Sequence, residues 1–144
     1  YIAPELHDDG AAFAQMKATS AGKDLAHIDS VMQALVWEAA IEKPELLIVS
    51  GDLTFNGEYD SMVGLAEYFK QIENNGTQVS VIPGNHDIHS GWARRFVGAE
   101  MEKTKQVSPA DFRELFAEFG YDLATHQKLP SVLPVHIPVE YNCK

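Results

Sequence analysis

Two short apolar runs, each cut off by a glycine-marked polar turn, constrain this chain more than any other feature. Leu46-Leu47-Ile48-Val49 lies between Pro44 and Gly51, and Val79-Ser80-Val81-Ile82 ends at Pro83-Gly84. An apolar run so short, bounded by helix-breaking residues, predicts a strand, and the first reads as buried on both faces. Between them a helical repeat over 58–73 puts Tyr59, Met62, Val63, Ala66, Phe69 and Ile72 on one inner face, and Asn75-Gly76 closes it. Upstream, Ile28, Val31, Met32, Leu35, Val36, Ala39 and Ala40 form the apolar face of a helix over 29–42. Asp29 or Ser30 can cap that helix, and Pro44 ends it. The order helix, strand, helix, strand predicts an α/β class with flanking helices. Strands 46–50 and 78–82 are then adjacent and parallel, with right-handed crossovers.

The remainder fits one domain over 1–144, with a core at 28–98, a helical segment at 108–120 and a proline-rich tail at 130–144. The opening 1–29 is polar and loop-rich, with a short helical stretch at 11–18. Ser108-Pro109-Ala110-Asp111 opens a further helix: serine caps, proline takes the first helical position and the acid favours the first turn. Phe112, Leu115, Phe116 and Phe119 form its stripe and Gly120 stops it. In the tail, Leu133, Val135, Ile137 and Val139 share one parity and Pro130, Pro134 and Pro138 the other. A strand there leaves its proline edge unpaired, and loose packing is the alternative.

Charge and composition exclude several classes. With 11 Lys+Arg against 21 Asp+Glu, the formal charge is −10, which disfavours a nucleic-acid polymer as partner. An anionic substrate is compatible with that charge where bound cations reverse the local field. Aromatics at 10% and frequent apolar runs argue against disorder. No window approaches the roughly 18 apolar residues of a membrane span. Cys143 is the one cysteine, so no intramolecular disulfide forms and the compartment stays open. The chain starts at Tyr1 without a basic-then-apolar leader, so any signal segment is absent or already removed.

In open α/β sheets, ligands sit beyond the carboxyl ends of the strands. There the first turn reads Ser50-Gly51-Asp52-Leu53-Thr54-Phe55-Asn56-Gly57-Glu58 and the second Pro83-Gly84-Asn85-His86-Asp87. If the strands are neighbours, Asp52 and Asn85 project into one crevice as hard oxygen donors for divalent cations. His86 can donate a proton beside them, and Asp87 can orient its imidazole. Asp or Asn beside Gly after a strand is also ordinary turn chemistry. Two such turns, each directly after a buried strand, are harder to assign to turn chemistry alone.

G-D-x-x-x-x-G-E at 51–58 and G-N-H-D at 84–87 resemble two signature blocks of the calcineurin-like metallophosphoesterases. The likeness spans about 29–88 and, more weakly, 1–23, which is similar to the segment after the first block in bacterial members. The resemblance implies that Asp52 bridges two metal ions and Asn85 binds one of them. It implies that His86 stabilises or protonates the leaving oxygen while Asp87 holds His86. The family hydrolyses phosphomonoesters or phosphodiesters at a dinuclear Mn, Fe or Zn site, with metal-bound hydroxide attacking phosphorus in line. Two cations about 3.5–4 Å apart clamp both oxygens and bring bound water to a pKa of about 7.

Other blocks of the family do not match. No apolar strand with Asp-x-His precedes Tyr1, and His7-Asp8-Asp9 does not fit that block. Asp87-Ile88-His89 spells Asp-x-His inside the second turn and reads as coincidence. No glycine here is followed by histidine, so the later Gly-His blocks are missing and His126 and His136 lack context. His7 and His27 read as solvated. The ligand set is therefore incomplete, as in an interior fragment whose exposed sheet edges favour self-association. Trp92, Arg94 and Arg95 follow the second turn. Substrate contact is one reading of them, and helix packing with surface charge is the other. The leading reading is metal-dependent hydrolysis of a small phosphate ester, most plausibly a diester. The alternative is a non-catalytic phosphoesterase domain acting as a binding or assembly module. A Rossmann-like nucleotide binder is disfavoured, because no G-x-G-x-x-G occurs.

Overall fold

The computed structural model describes residues 1–20, 22–88 and 91–123. The proline-rich tail, Cys143, His89, His126 and His136 lie outside the described residues. Helices α1 (Ala11–Thr19) and α2 (Ile28–Glu42) lead into strand β1 (Leu46–Ser50). Helix α3 (Tyr59–Asn74) connects it to strand β2 (Gln78–Ile82), which pairs parallel with β1 from Leu46↔Gln78 to Ser50↔Ile82. The α/β class and the adjacent parallel strands thus stand as the sequence implies.

The connections follow from local chemistry. Helix α2 ends at Lys43, which adopts left-handed φ of +47° and returns its N–H to the Ala39 carbonyl before Pro44. Its start differs from expectation. Neither Asp29 nor Ser30 caps it. The residue at the cap is His27, whose side chain makes no capping bond, and the Asp29 carboxylate accepts from the hydroxyls of Tyr1 (3.0 Å) and Tyr68 (3.1 Å). Helix α3 buries Met62, Phe69 and Ile72 as the repeat predicts, with Leu65 in the stripe and Val63 turned outward.

Strand β1 is not buried on both faces. Leu47 and Val49 join Val79 and Val81 of β2 in the core with α3, while Ile48 points the other way and is 61% exposed. The register explains the asymmetry. Ile48 pairs with Ser80, and only Ser80 is covered: a Cβ on Gly120 would sit 3.0 Å from its Oγ. That cover comes from the π-type turn Ala117–Tyr121, which packs on β2, while helix α4 (Pro109–Leu115) before it packs on α3. Helix α4 begins with the expected cap. Ser108 Oγ accepts from Asp111 N, and Asp111 Oδ2 accepts from Ser108 N. Behind it Phe112, Phe116, Phe119 and Phe69 stack within 6.2 Å of one another along the chain of contacts.

Two features escape the sequence reading. Strands β3 (Arg94–Val97) and β4 (Glu100–Lys103) form an antiparallel hairpin after the second turn. Phe96 alone is buried on it, so the charged remainder carries no alternation signal. The opening segment is not merely loop. Ile2, Ala3, Leu6, Phe13 and Leu25 build a second core around Phe96. Asp8 staples it to the hairpin by accepting from Gly10 N and Gly98 N, both at 2.8 Å. His7 belongs there too and is not simply solvated: its ring stacks on Phe13 at 3.8 Å, and burial pulls its pKa down. His27 remains on the surface beside Asp24.

The packing predicts a sharp contrast. Phe116→Ala should cost about 3–5 kcal/mol of unfolding free energy, because the site cannot collapse around a fully buried ring. Ile48→Thr should change it by no more than about 0.5 kcal/mol. Urea denaturation monitored by circular dichroism checks both.

Candidate functional site

The register places Ser50 opposite Ile82, so the two turns leave the sheet side by side. Their backbones touch. A Cβ on Gly51 would lie 2.7 Å from Gly84 N and 2.8 Å from Gly84 Cα, and a Cβ on Gly84 would collide with Asp52 Oδ1 and N. Neither position has room for any other residue. Gly51 (φ +91°) and Asp52 (φ +49°) both take the left-handed conformation. For Asp52 that is an uncommon geometry, of the kind that clusters at ligand sites. It lets Asp52 Oδ1 accept the His86 N–H at 3.2 Å, across the gap between the turns.

Asp87 fixes both turns from beneath. It is fully buried, and its carboxylate accepts four hydrogen bonds. Oδ2 takes Gly84 N (2.7 Å) and Leu53 N (3.1 Å), and Oδ1 takes Thr54 N (3.0 Å) and Thr54 Oγ1 (3.2 Å). Three backbone N–H groups and one hydroxyl thus converge on Asp87, which holds the two turns together.

Asp52 and Asn85 are exposed at the tips, and His86 is half-buried. The sequence reading missed Thr54 and Glu58 as parts of this unit. Buried Thr54 receives the Gly57 N–H on its hydroxyl (2.9 Å) while bonding Asp87, a turn motif with no signature beyond a threonine in a loop. Glu58 is fully buried. One oxygen accepts from Asn56 N (2.9 Å), and Oε1 has no partner among the described residues. Burial raises its pKa above the ordinary 4.5, opposed by the N–H groups of Asn56 and Arg94. Trp92, Arg94 and Arg95 lie at and before β3, on no helix. The Arg94 guanidinium sits 5.4 Å over the exposed Trp92 ring, and Arg95 pairs with Glu102.

A family model described as calcineurin-like phosphoesterase matches residues 17–140. The chain belongs to the calcineurin-like phosphoesterase family. No curated protein is significantly similar to it. Members of this family are metal-dependent hydrolases of phosphoesters, and the tips of β1 and β2 are where this chain presents oxygen donors. The donor set fits part of such a centre. Asp52 and Asn85 are accessible hard oxygen donors, yet among the described residues no group of three His, Cys, Asp or Glu could hold a metal ion. Two donors do not by themselves fix two cations.

Two outcomes follow from the clamp and the buried acid. Asp87→Asn, which turns an acceptor toward N–H donors into a donor, should cost about 1.5–3 kcal/mol in urea denaturation. Glu58 holds its proton longer folded than unfolded, so stability falls as pH climbs from about 4.5 through the raised folded value. Glu58→Gln should therefore raise the melting temperature at pH 7 and leave it nearly unchanged at pH 4, where both states keep the proton.

Proposed function

We propose that this chain acts in metal-dependent hydrolysis of phosphodiesters, with Asp52 and Asn85 as oxygen ligands of a two-metal centre and His86 beside the leaving group. The hydrogen bond from His86 N to Asp52 Oδ1, which locks a ligand to the acid, carries this reading most directly. Divalent ions at such tips polarise the phosphoryl group and supply an activated water. The chain's own residues do the rest. Asp52 keeps the His86 backbone in place, and the half-buried imidazole gives its proton to the departing alkoxide or aryloxide oxygen. Asp87 holds the backbone on which both residues ride. A centre of two ions needs ligands beyond the described residues, and of the Mn, Fe and Zn used by the family, Mn best suits the carboxylate and amide oxygens present. The substrate is a small phosphate ester. A net charge of −10 disfavours a polyanionic polymer.

A second reading is a non-catalytic binding or assembly domain. Self-association belongs with it. Among the described residues β1 pairs with β2 alone, and Ile48 faces out beside that open edge. No helix among the described residues is long and apolar enough to cross a membrane.

Hydrolysis of bis(p-nitrophenyl) phosphate with Mn²⁺ separates the readings. The proposal expects turnover that chelator removes, and losses of about 10²-fold or more in His86→Ala and Asp52→Ala. Turnover that neither substitution alters would refute the site. No turnover by the wild-type chain would favour the non-catalytic reading.

A further inference from the structure

Gln106 follows the β3–β4 hairpin and belongs to no motif, yet its side chain binds three backbone groups in two separate stretches of chain. Its Nε2 donates to the carbonyls of Asn56 and Gly57, each at 3.1 Å, and its Oε1 accepts from Ala93 N at 3.2 Å. Two carbonyls on one side and an N–H on the other leave a single orientation for the amide. Its backbone is held to the same place. Tyr59 N donates to the Lys105 carbonyl (3.0 Å), Val107 N donates to the Gly57 carbonyl (2.9 Å), and Glu58 bridges Gln106 antiparallel. A Cβ on Gly57 would collide with Gln106 Nε2 and lie 2.5 Å from the Asp87 carbonyl oxygen. The amide, the glycine and the end of the second turn are thus packed at backbone contact.

Asn56-Gly57 is the return limb of the turn that carries Asp52, packed against the Asp87 carbonyl that ends the second turn, and Ala93 lies directly before β3. Asp87 ties the near ends of both turns beneath the tips. We propose that Gln106 is a positioning residue of the candidate site, tying the return limb of the first turn to the chain that enters β3 so that Asp52 and His86 stay in register. Its effect on metal binding rests on the phosphoesterase reading, whereas its effect on the turns does not.

Site-resolved amide hydrogen exchange on the whole chain tests this, with Gln106→Ala and Gln106→Glu against wild type. Gln106→Ala removes donor and acceptor together. The Ala93 amide, which loses its acceptor, and the Gly57 amide, held by Thr54 Oγ1 on the limb that Gln106 grips through the Asn56 and Gly57 carbonyls, should then exchange roughly tenfold faster, while Phe69 in α3 keeps its wild-type rate. Gln106→Glu keeps an acceptor for Ala93 but sets a carboxylate oxygen against two carbonyls. Gly57 should then accelerate and Ala93 should not, a split that a general loss of stability cannot produce. Equal acceleration at Phe69, or none at Gly57 in either variant, would overturn the proposal. If Gln106→Ala fails to fold, Gln106→Glu decides alone. Titration with Mn²⁺ then reads the link to the site: line broadening at the His86 amide should be strong in wild type and at least severalfold weaker in the folded variants at equal Mn²⁺. Broadening that persists unchanged in them would overturn that link. Absence of broadening in wild type would count against the phosphoesterase reading, while the exchange pattern still decides the role of Gln106 on the turns.

Discussion

Gly51 and Gly84 meet at a separation that admits no side chain, and this contact governs the geometry of everything at the sheet's working end. The parallel pairing of β1 and β2 brings the two turns together, but the missing Cβ atoms let them touch. Once they touch, the left-handed Asp52 can reach the His86 N–H, and one buried carboxylate can serve N–H groups of both turns. Four hydrogen bonds to Asp87 compensate its removal from water, which an unpartnered buried carboxylate could not tolerate. The resulting unit is stiff where donors must be aimed and exposed where a ligand must enter.

The same logic explains how an acidic protein can act on phosphate. A net charge of −10 repels an anion at long range, and the oxygen donors Asp52 and Asn85 stand at exposed tips. A cation held there converts an unfavourable field into a local attraction. The buried Glu58 and Thr54 lie behind the tips and shape the backbone of the first turn. They keep it compact by hydrogen bonds at short range.

Much of this was legible in the sequence, for reasons that can be named. The strands announced themselves because Leu46 to Val49 and Val79 to Ile82 are short apolar runs with proline and glycine at their ends. The turns were legible because Gly-Asp and Gly-Asn-His-Asp are rare enough in that setting to carry family meaning. The burial of β1 was misjudged because local sequence cannot say which strand the π-type turn at 117–121 will cover. The hairpin at 94–103 was invisible, since one buried Phe96 among charged residues makes no period. His7 and the opening segment were underrated for a related reason: their core partner, Phe96, lies far along the chain. The bonds from Leu53 and Thr54 to Asp87 were not legible, because they join residues more than thirty positions apart.

The central claim is that one cation feels both tips at once, and a double-mutant cycle on Mn²⁺ affinity addresses it directly. Asp52→Ala and Asn85→Ala are measured singly and together by calorimetric titration. If both residues grip the same ion, the second substitution should add much less than its single effect, giving a coupling of at least about 1 kcal/mol. Strictly additive losses, or an affinity indifferent to both changes, would contradict the account.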